Sequence, residues 1–78
     1  MDWLEWEGPG NFDKLNSWVS SFGDYVTDHF EADSKTFQLR VKTLEGTSYD
    51  VPKGYMVIRG VEGEYYPCEP KIFEKNLQ

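Results

Sequence analysis

Apolar and polar residues repeat along this chain with two different periods, and the change of period predicts its secondary structure. Between residues 12 and 22, apolar side chains recur every three or four positions, as on one face of an α-helix: Phe12, Leu15, Trp18, Val19 and Phe22. Asn11 precedes this stripe as an expected side-chain N-cap, and Gly23 follows it as an expected helix stop. The sequence therefore predicts one amphipathic helix over 12–22.

Most of the remaining chain alternates with a period of two, which is typical of half-buried β-strands. The clearest example is 36–44, where Phe37, Leu39 and Val41 alternate with Gln38, Arg40 and Lys42. Further strands are predicted over 1–7, 25–30, 47–51 and 55–60, and around Tyr65 and Tyr66. Glycine-, proline- and aspartate-containing turns separate them, so every connection is short.

Two prolines are expected to end the sheet, because proline has no backbone N–H to donate to a strand neighbour. These are Pro67 and Pro70, and residues 71–76 are expected to add a closing helical turn. The element order β-α-β-β-β-β-β predicts an α+β fold. One amphipathic helix packs on a twisted, mainly antiparallel sheet of about five to six short strands. Residues 1–78 are expected to form a single domain.

The composition of the chain excludes several classes of protein. A chain of 78 residues buries only about 60% of its unfolded surface, so its thirteen aromatic rings must supply much of the core. No apolar run approaches the roughly 20 residues of a membrane helix, so no membrane partner is expected. The single cysteine, Cys68, cannot form an internal disulfide, which favours a cytoplasmic protein.

Charge is distributed unevenly along the chain, whose formal net charge is −6. Residues 1–33 carry eight acidic groups and one basic group, Lys14, whereas residues 34–78 carry six acidic and seven basic groups. The acidic first half repels phosphates, so no nucleic-acid partner is expected. Two interpretations remain for it: a solvated surface that keeps the protein soluble, or a face directed at a basic patch on another protein.

No catalytic or metal site is predicted, and the chain is not expected to be an enzyme or to bind a cofactor. His29 is the only histidine, so a histidine metal site or catalytic dyad would need a second chain. Cys68 lacks the cationic surroundings of a reactive thiolate. The sequence contains neither a G-x-S-x-G motif nor a phosphate-binding P-loop.

Cations and aromatic rings are interspersed in the second half of the chain. Arginine and lysine bind phosphate, and flat rings stack on a base, so this combination is typical of a nucleotide site. The predicted ligand-binding residues are Trp6, Arg40, Lys42, Arg59, Tyr65, Tyr66 and Lys71. The alternative is that the rings form the core and the cations a solvated sheet face. Because Tyr65 and Tyr66 are adjacent in a strand, one belongs to the core and the other is exposed or covers an interface.

Three stretches of the chain resemble a widespread family of small phage and prophage proteins. They read KTLEG at 42–46, GYMVIRG at 54–60 and VEGEYYPCEPKIFEK at 61–75, and the family runs "ETLEG … GDYIIKGVKGEFYPCKPDIFEKTY". Upstream, LEWEG at 4–8 and Asn11-Phe12 resemble the family's "IQWTGDN". The chain departs from the family at Tyr55 and Met56, and Glu69 and Lys71 reverse the family's charges around Pro70. This charge reversal suggests a surface specific to one partner or ligand.

A phage origin, as the resemblance implies, favours a small protein that binds a target stoichiometrically. The first expectation is a non-enzymatic anti-defence protein that sequesters a host nucleotide-type immune signal. Its pocket would lie at a homo-oligomer interface, because one short subunit can hardly enclose such a ligand. The alternative is an acidic inhibitor that masks a host defence protein, as an anti-CRISPR protein or polyanion mimic does. A structural or virion-associated role is a third possibility.

Overall fold

The computed structural model describes residues 2–33, 35–36 and 38–76, with the backbone alone at Asn76. The elements are β1 (Asp2–Glu5), a 3-10 turn (Pro9–Asn11), α1 (Phe12–Ser20), α2 (Val26–His29), β2 (Phe30–Ala32), β3 (Leu39–Lys42), β4 (Ser48–Val51), β5 (Met56–Arg59), β6 (Tyr65–Cys68) and α3 (Pro70–Asn76). This content confirms the predicted α+β class with short antiparallel strands.

The six strands form two three-stranded antiparallel sheets rather than one continuous sheet. The first sheet has the order β1-β5-β6, and the second has the order β2-β3-β4. Consecutive strands pair across short turns in the second sheet and between β5 and β6, as the turn residues predicted. β1 pairs with β5 of its own chain, a long-range contact that alternation along the sequence does not specify.

The main core lies between the inner faces of the two sheets and the apolar stripe of α1. Leu15 and Val19 of α1 are fully buried, which confirms the predicted helical face. They share one hydrophobic cluster with these residues of the sheets and the flanking chain: Leu4, Trp6, Phe30, Leu39, Val41, Val51, Val57 and Tyr65. Apolar side chains from both sheets are thus removed from water together, which is the dominant stabilising contribution in so small a domain.

A second, smaller core lies on the opposite face of the first sheet, under α3. Met56 and Ile58 of β5 are buried against Phe73 of α3, with Cys68 half-buried beside them. The ring of Trp3 meets the ring of Phe73 edge-on, with centroids 4.8 Å apart. The first sheet is therefore covered on both faces, and α3 covers only part of its outer face.

The prediction of a strand over 25–30 is wrong for most of that segment. Residues Val26–His29 form the short helix α2, and the strand begins at Phe30. The amide of Asp28 donates to the carbonyl oxygen of Tyr25 at 3.1 Å, which is a helical-turn bond. Over so few residues, alternation does not distinguish a strand from a single helical turn.

Other element boundaries also differ from the prediction. α1 ends at Ser20, and residues 21–23 form a turn in which Gly23 has φ 83°. β1 ends at Glu5 and β3 begins only at Leu39, so both strands are shorter than predicted. Phe37, in the predicted strand 36–44, and Ser34, in the turn expected before that strand, lie outside the described residues.

Pro67 does not end the sheet, contrary to the prediction, whereas Pro70 does follow its last strand. Pro67 lies within β6, opposite Val57 of β5. β6 is a terminal strand of its sheet, and an edge position tolerates a proline whose missing N–H would point away from the neighbouring strand. Pro70 is the first residue of α3, where a missing N–H costs nothing.

Asn11 does not cap α1 with its side chain, so that prediction is also wrong. Its Nδ2 donates instead to the carbonyl oxygen of Glu5 at 2.8 Å, and the residue is buried. This hydrogen bond ties the end of β1 to the start of α1.

Candidate functional site

The seven residues predicted to bind a ligand are spread over both sheets and α3. Trp6 and Tyr65 are only 3% and 1% exposed and belong to the main core, so Trp6 does not present its ring to solvent as a base-stacking surface. Tyr66 is exposed on the opposite side of β6, as expected for adjacent residues in a strand. Lys71 is exposed on α3.

The two predicted cations of β3 are engaged by acidic groups of neighbouring elements. Arg40 lies opposite Glu31 of β2 and Asp50 of β4, and its Nε is 3.0 Å from Asp50 Oδ1. The Nζ of Lys42 donates to the carbonyl oxygen of Thr27 at 3.2 Å and lies 3.6 Å from Glu31 Oε1. The outer face of the second sheet is therefore a row of alternating charges that largely neutralise one another.

Arg59 forms a compact cluster with Phe22, Asp24 and Tyr65. Its guanidinium carbon lies 4.3 Å from the centroid of the Phe22 ring, and its Nη2 is 3.8 Å from Asp24 Oδ2. The hydroxyl of Tyr65 donates to the same Asp24 oxygen at 2.9 Å. A cation over a ring and a shared carboxylate connect β5 and β6 to the loop before α2. This arrangement gives Arg59 a structural role within its own chain.

The electrostatics of this cluster are visible at Tyr65. Burial raises the pKa of its phenol to about 12, and the hydrogen bond to Asp24 acts in the same direction, while Arg59 opposes them. Arg59 Nε is buried without a hydrogen-bond partner among the described residues. The folded protein therefore favours the neutral phenol over the phenolate.

Among the cavities on the described part of the chain, three are each lined by only one of the seven predicted residues. The first, of about 260 Å³, is mainly apolar and includes Trp6, Phe12 and Leu39. The second, of about 180 Å³, places Arg40 beside Glu31 and Asp33. The third, of about 380 Å³, is lined by Tyr55, Glu69, Pro70 and Lys71. Arg40 and Lys71 therefore line different cavities, and Lys42 and Arg59 line none of these three.

An exposed aromatic residue at the margin of the first sheet was missed as a candidate site residue. Trp3 is 45% exposed and lies in a cross-strand row with Ile58 and Tyr66, both on the outer face of the sheet. The alternation of 1–7 left its orientation ambiguous. Trp3 and Trp6 are three positions apart, so in a strand their side chains point to opposite faces and only one of them can face the core. The exposed side chains of Asp2, Trp3, Glu5 and Glu7 along this margin form what we call the acidic edge.

The backbone of β1 has one paired side and one open side. The amide of Trp6 donates to Tyr55 O at 2.8 Å, and Trp6 O accepts from the Gly54 amide at 2.7 Å, so Trp6 faces the chain around β5. Backbone groups of alternate residues point the same way, so Leu4 also faces β5 while Trp3 and Glu5 face outward. Among the described residues, no strand pairs with this outward side. The Trp3 amide and carbonyl and the Glu5 amide are its open groups.

Most acidic groups of the first half lie on the surface. Of the eight in residues 1–33, only Asp24 is not classed as exposed. The Asp33 carboxylate accepts the amides of Lys35 and Thr36 at 2.8 and 3.2 Å, and these bonds lower its pKa. The side-chain stem of Lys53 passes close to Gly8, next to Glu7. The carboxylates of Asp2, Glu5 and Glu7 are exposed, and Asp2 lies opposite Arg59 of β5 in the sheet register.

Metal-ligand clusters and membrane-spanning helices were also sought in the structure. Within residues 2–33, 35–36 and 38–76, no three histidine, cysteine or carboxylate side chains group as metal ligands would. None of the helices in that part of the chain has the length and apolar character needed to cross a membrane.

Comparisons with known proteins give no match: no family model fits this chain, and no similar curated protein or solved structure was found.

Proposed function

We propose that this protein is a non-catalytic binding protein whose acidic edge captures a basic segment of a partner protein and masks it. The observation that carries this proposal is the proximity along β1 of an exposed indole and exposed carboxylates. Trp3 is 45% exposed, and residues 2–13 contain four acidic groups and no lysine or arginine. An aromatic anchor within a charged rim is a common arrangement at protein interfaces.

The arrangement of the cations also supports a basic partner over an anionic one. Arg40, Lys42 and Arg59 each lie within 4 Å of a carboxylate of the same chain. A phosphate ligand would have to compete with these carboxylates for each cation. A basic segment instead meets acids that are already exposed, and the attraction between opposite charges accelerates its association. If the resemblance to phage proteins is correct, a host defence protein is the expected partner.

A charge-matched pair of variants tests the proposal with two peptide probes. The first probe is a fluorescein-labelled ten-residue peptide of alternating lysine and valine, and the second replaces lysine with glutamate. The double variant Glu5→Gln/Glu7→Gln removes two charges from the acidic edge. The control Glu45→Gln/Glu62→Gln removes two charges from exposed turn positions, so the two variants have the same net charge.

We expect fluorescence anisotropy to show binding of the lysine peptide only, with an affinity that falls as salt increases. The acidic-edge variant should weaken binding roughly fivefold, and the control should change it by less than about twofold. Equal losses in the two variants, or equal binding of the two peptides, would contradict the proposal.

Capture of a nucleotide-type ligand is a second candidate, and one observation favours it. Lys71 and Tyr55 line the same cavity of about 380 Å³, which combines a cation with an aromatic ring. The Tyr55 hydroxyl donates to Glu69 at 3.2 Å, so a carboxylate also lies at this cavity. Native mass spectrometry after incubation with a nucleotide extract tests this candidate and reports the subunit number. A retained ligand that is lost in Lys71→Ala but kept in the control Lys75→Ala would support it, and no retained mass would reject it.

A further inference from the structure

The open side of β1 suggests how a basic segment is held. β1 is a terminal strand, and three backbone groups point away from β5 without a strand partner in the described part of the chain. These are the amide and carbonyl of Trp3 and the amide of Glu5. The neighbouring Glu5 carbonyl is already used, because it accepts a hydrogen bond from Asn11 Nδ2 at 2.8 Å. An extended chain beside β1 would therefore find an acceptor and two donors.

We infer that the partner segment binds as an added β-strand along β1, with its backbone paired to Trp3 and Glu5 and its basic side chains beside the carboxylates of the acidic edge. This inference rests on the proposed function and specifies how the same site works. Backbone pairing supplies affinity for any extended segment, and the side chains of the acidic edge select a basic one. Trp3 lies on the outer face of the sheet, where it can cover alternate residues of the added strand.

The negative charge of β1 determines which kind of strand can pair with its open side. A second copy of this chain, paired through its own β1, would place two sets of Asp2, Glu5 and Glu7 in strands about 5 Å apart. Like charges on neighbouring strands are destabilising, and charged edges are one way in which proteins prevent pairing between copies. A strand with lysine or arginine at alternate positions would instead be attracted to these carboxylates, because opposite charges on neighbouring strands are stabilising. The acidic edge therefore disfavours a second β1 and favours a basic strand.

Amide hydrogen exchange measured by NMR tests the inference on the unmodified protein with the lysine–valine peptide. We expect the amides of Trp3 and Glu5 to exchange about tenfold more slowly when the peptide is bound, because both become hydrogen-bonded. The amide of Leu4 already faces β5 and serves as the internal control, with little change. Peptide binding without slower exchange at Trp3 and Glu5 would overturn strand addition and leave the proposed function standing. No binding of the peptide would reject both.

A pair of substitutions at one position separates the backbone contribution from the charge. Glu5→Pro and Glu5→Gln remove the same charge, but only the proline variant also removes the outward amide. Proline is tolerated at the edge of a sheet, and thermal unfolding will show whether the variant folds. We expect Glu5→Pro to bind the peptide about fivefold more weakly than Glu5→Gln, as for one lost hydrogen bond. Equal affinities in two folded variants would contradict the inference, and the exchange measurement decides the question if the proline variant does not fold.

Discussion

The outer faces of the two sheets have opposite chemistry. In the second sheet, Glu31, Arg40 and Asp50 lie side by side on neighbouring strands, and their charges compensate one another. In the first sheet, the corresponding row is Trp3, Ile58 and Tyr66, which is apolar and only partly covered by α3. Three of the four predicted cations, Arg40, Lys42 and Arg59, are thus engaged by acids of the same chain. The available surface lies instead along β1, where Trp3 is 45% exposed next to the exposed carboxylates of the acidic edge.

The largest effect is expected where α3 covers the first sheet. Phe73→Ala removes the ring that buries Met56 and Ile58 and contacts Trp3. We expect the free energy of unfolding to fall by about 3 kcal/mol, as for other buried phenylalanines. Urea denaturation followed by tryptophan fluorescence measures this change. A loss below about 1 kcal/mol would show that α3 does not hold this face in solution.

A smaller effect is expected at the hydrogen bond between Tyr65 and Asp24. Tyr65→Phe keeps the ring in the main core and removes only the hydroxyl, which donates to Asp24 at 2.9 Å. We expect a loss of about 1–2 kcal/mol in the free energy of unfolding at pH 7, because the acceptor is a carboxylate. An unchanged free energy of unfolding in the same denaturation experiment would show that this hydrogen bond does not stabilise the fold.

The same pair of proteins gives a pH dependence with a defined sign. The pKa of Tyr65 is raised from 10.0 to about 12 in the folded protein, so folding favours the neutral phenol. Its contribution to stability is complete below pH 10 and is lost as the pH rises toward 12. We therefore expect the stability difference between the wild type and Tyr65→Phe to shrink between pH 9 and 12. A constant difference over this range would contradict the shifted pKa.

The smallest effect is expected in the charged row of the second sheet. Arg40 and Asp50 are both more than half exposed, so their ion pair is well screened by water. Arg40→Ala should change the free energy of unfolding by about 0.5 kcal/mol or less. A loss comparable to that of Phe73→Ala would show that the two faces do not differ in the way described above.

Local patterns in the sequence predicted much of the fold, because they depend on neighbouring residues. The stripe of α1, the alternation of Leu39 and Val41 with Arg40, and the opposite faces of Tyr65 and Tyr66 all follow from the period of one element. The division into two sheets does not, because it depends on β1 pairing with β5 across more than fifty residues.

The candidate site was less predictable than the fold, since it depends on which charges pair. Arg59 follows an apolar run and reads as a free cation, yet Asp24, thirty-five positions earlier, lies beside it. The alternation of 1–7 leaves the face of Trp3 ambiguous, and the position of β1 at the margin of the sheet leaves its side chain 45% exposed. Pro67 was expected to stop a strand because its neighbours in the sheet were unknown. In each case the environment of the residue is set by tertiary contacts with residues distant in the sequence, which local patterns do not specify.

The most direct test of the account is a two-dimensional NMR titration of the protein with the lysine–valine peptide and, separately, with ADP-ribose. We expect the peptide to shift the backbone signals of residues 2–7 and ADP-ribose to leave the backbone signals of Arg40, Lys42 and Arg59 unchanged. Shifts of these three residues with ADP-ribose, together with unchanged signals of residues 2–7 with the peptide, would contradict it.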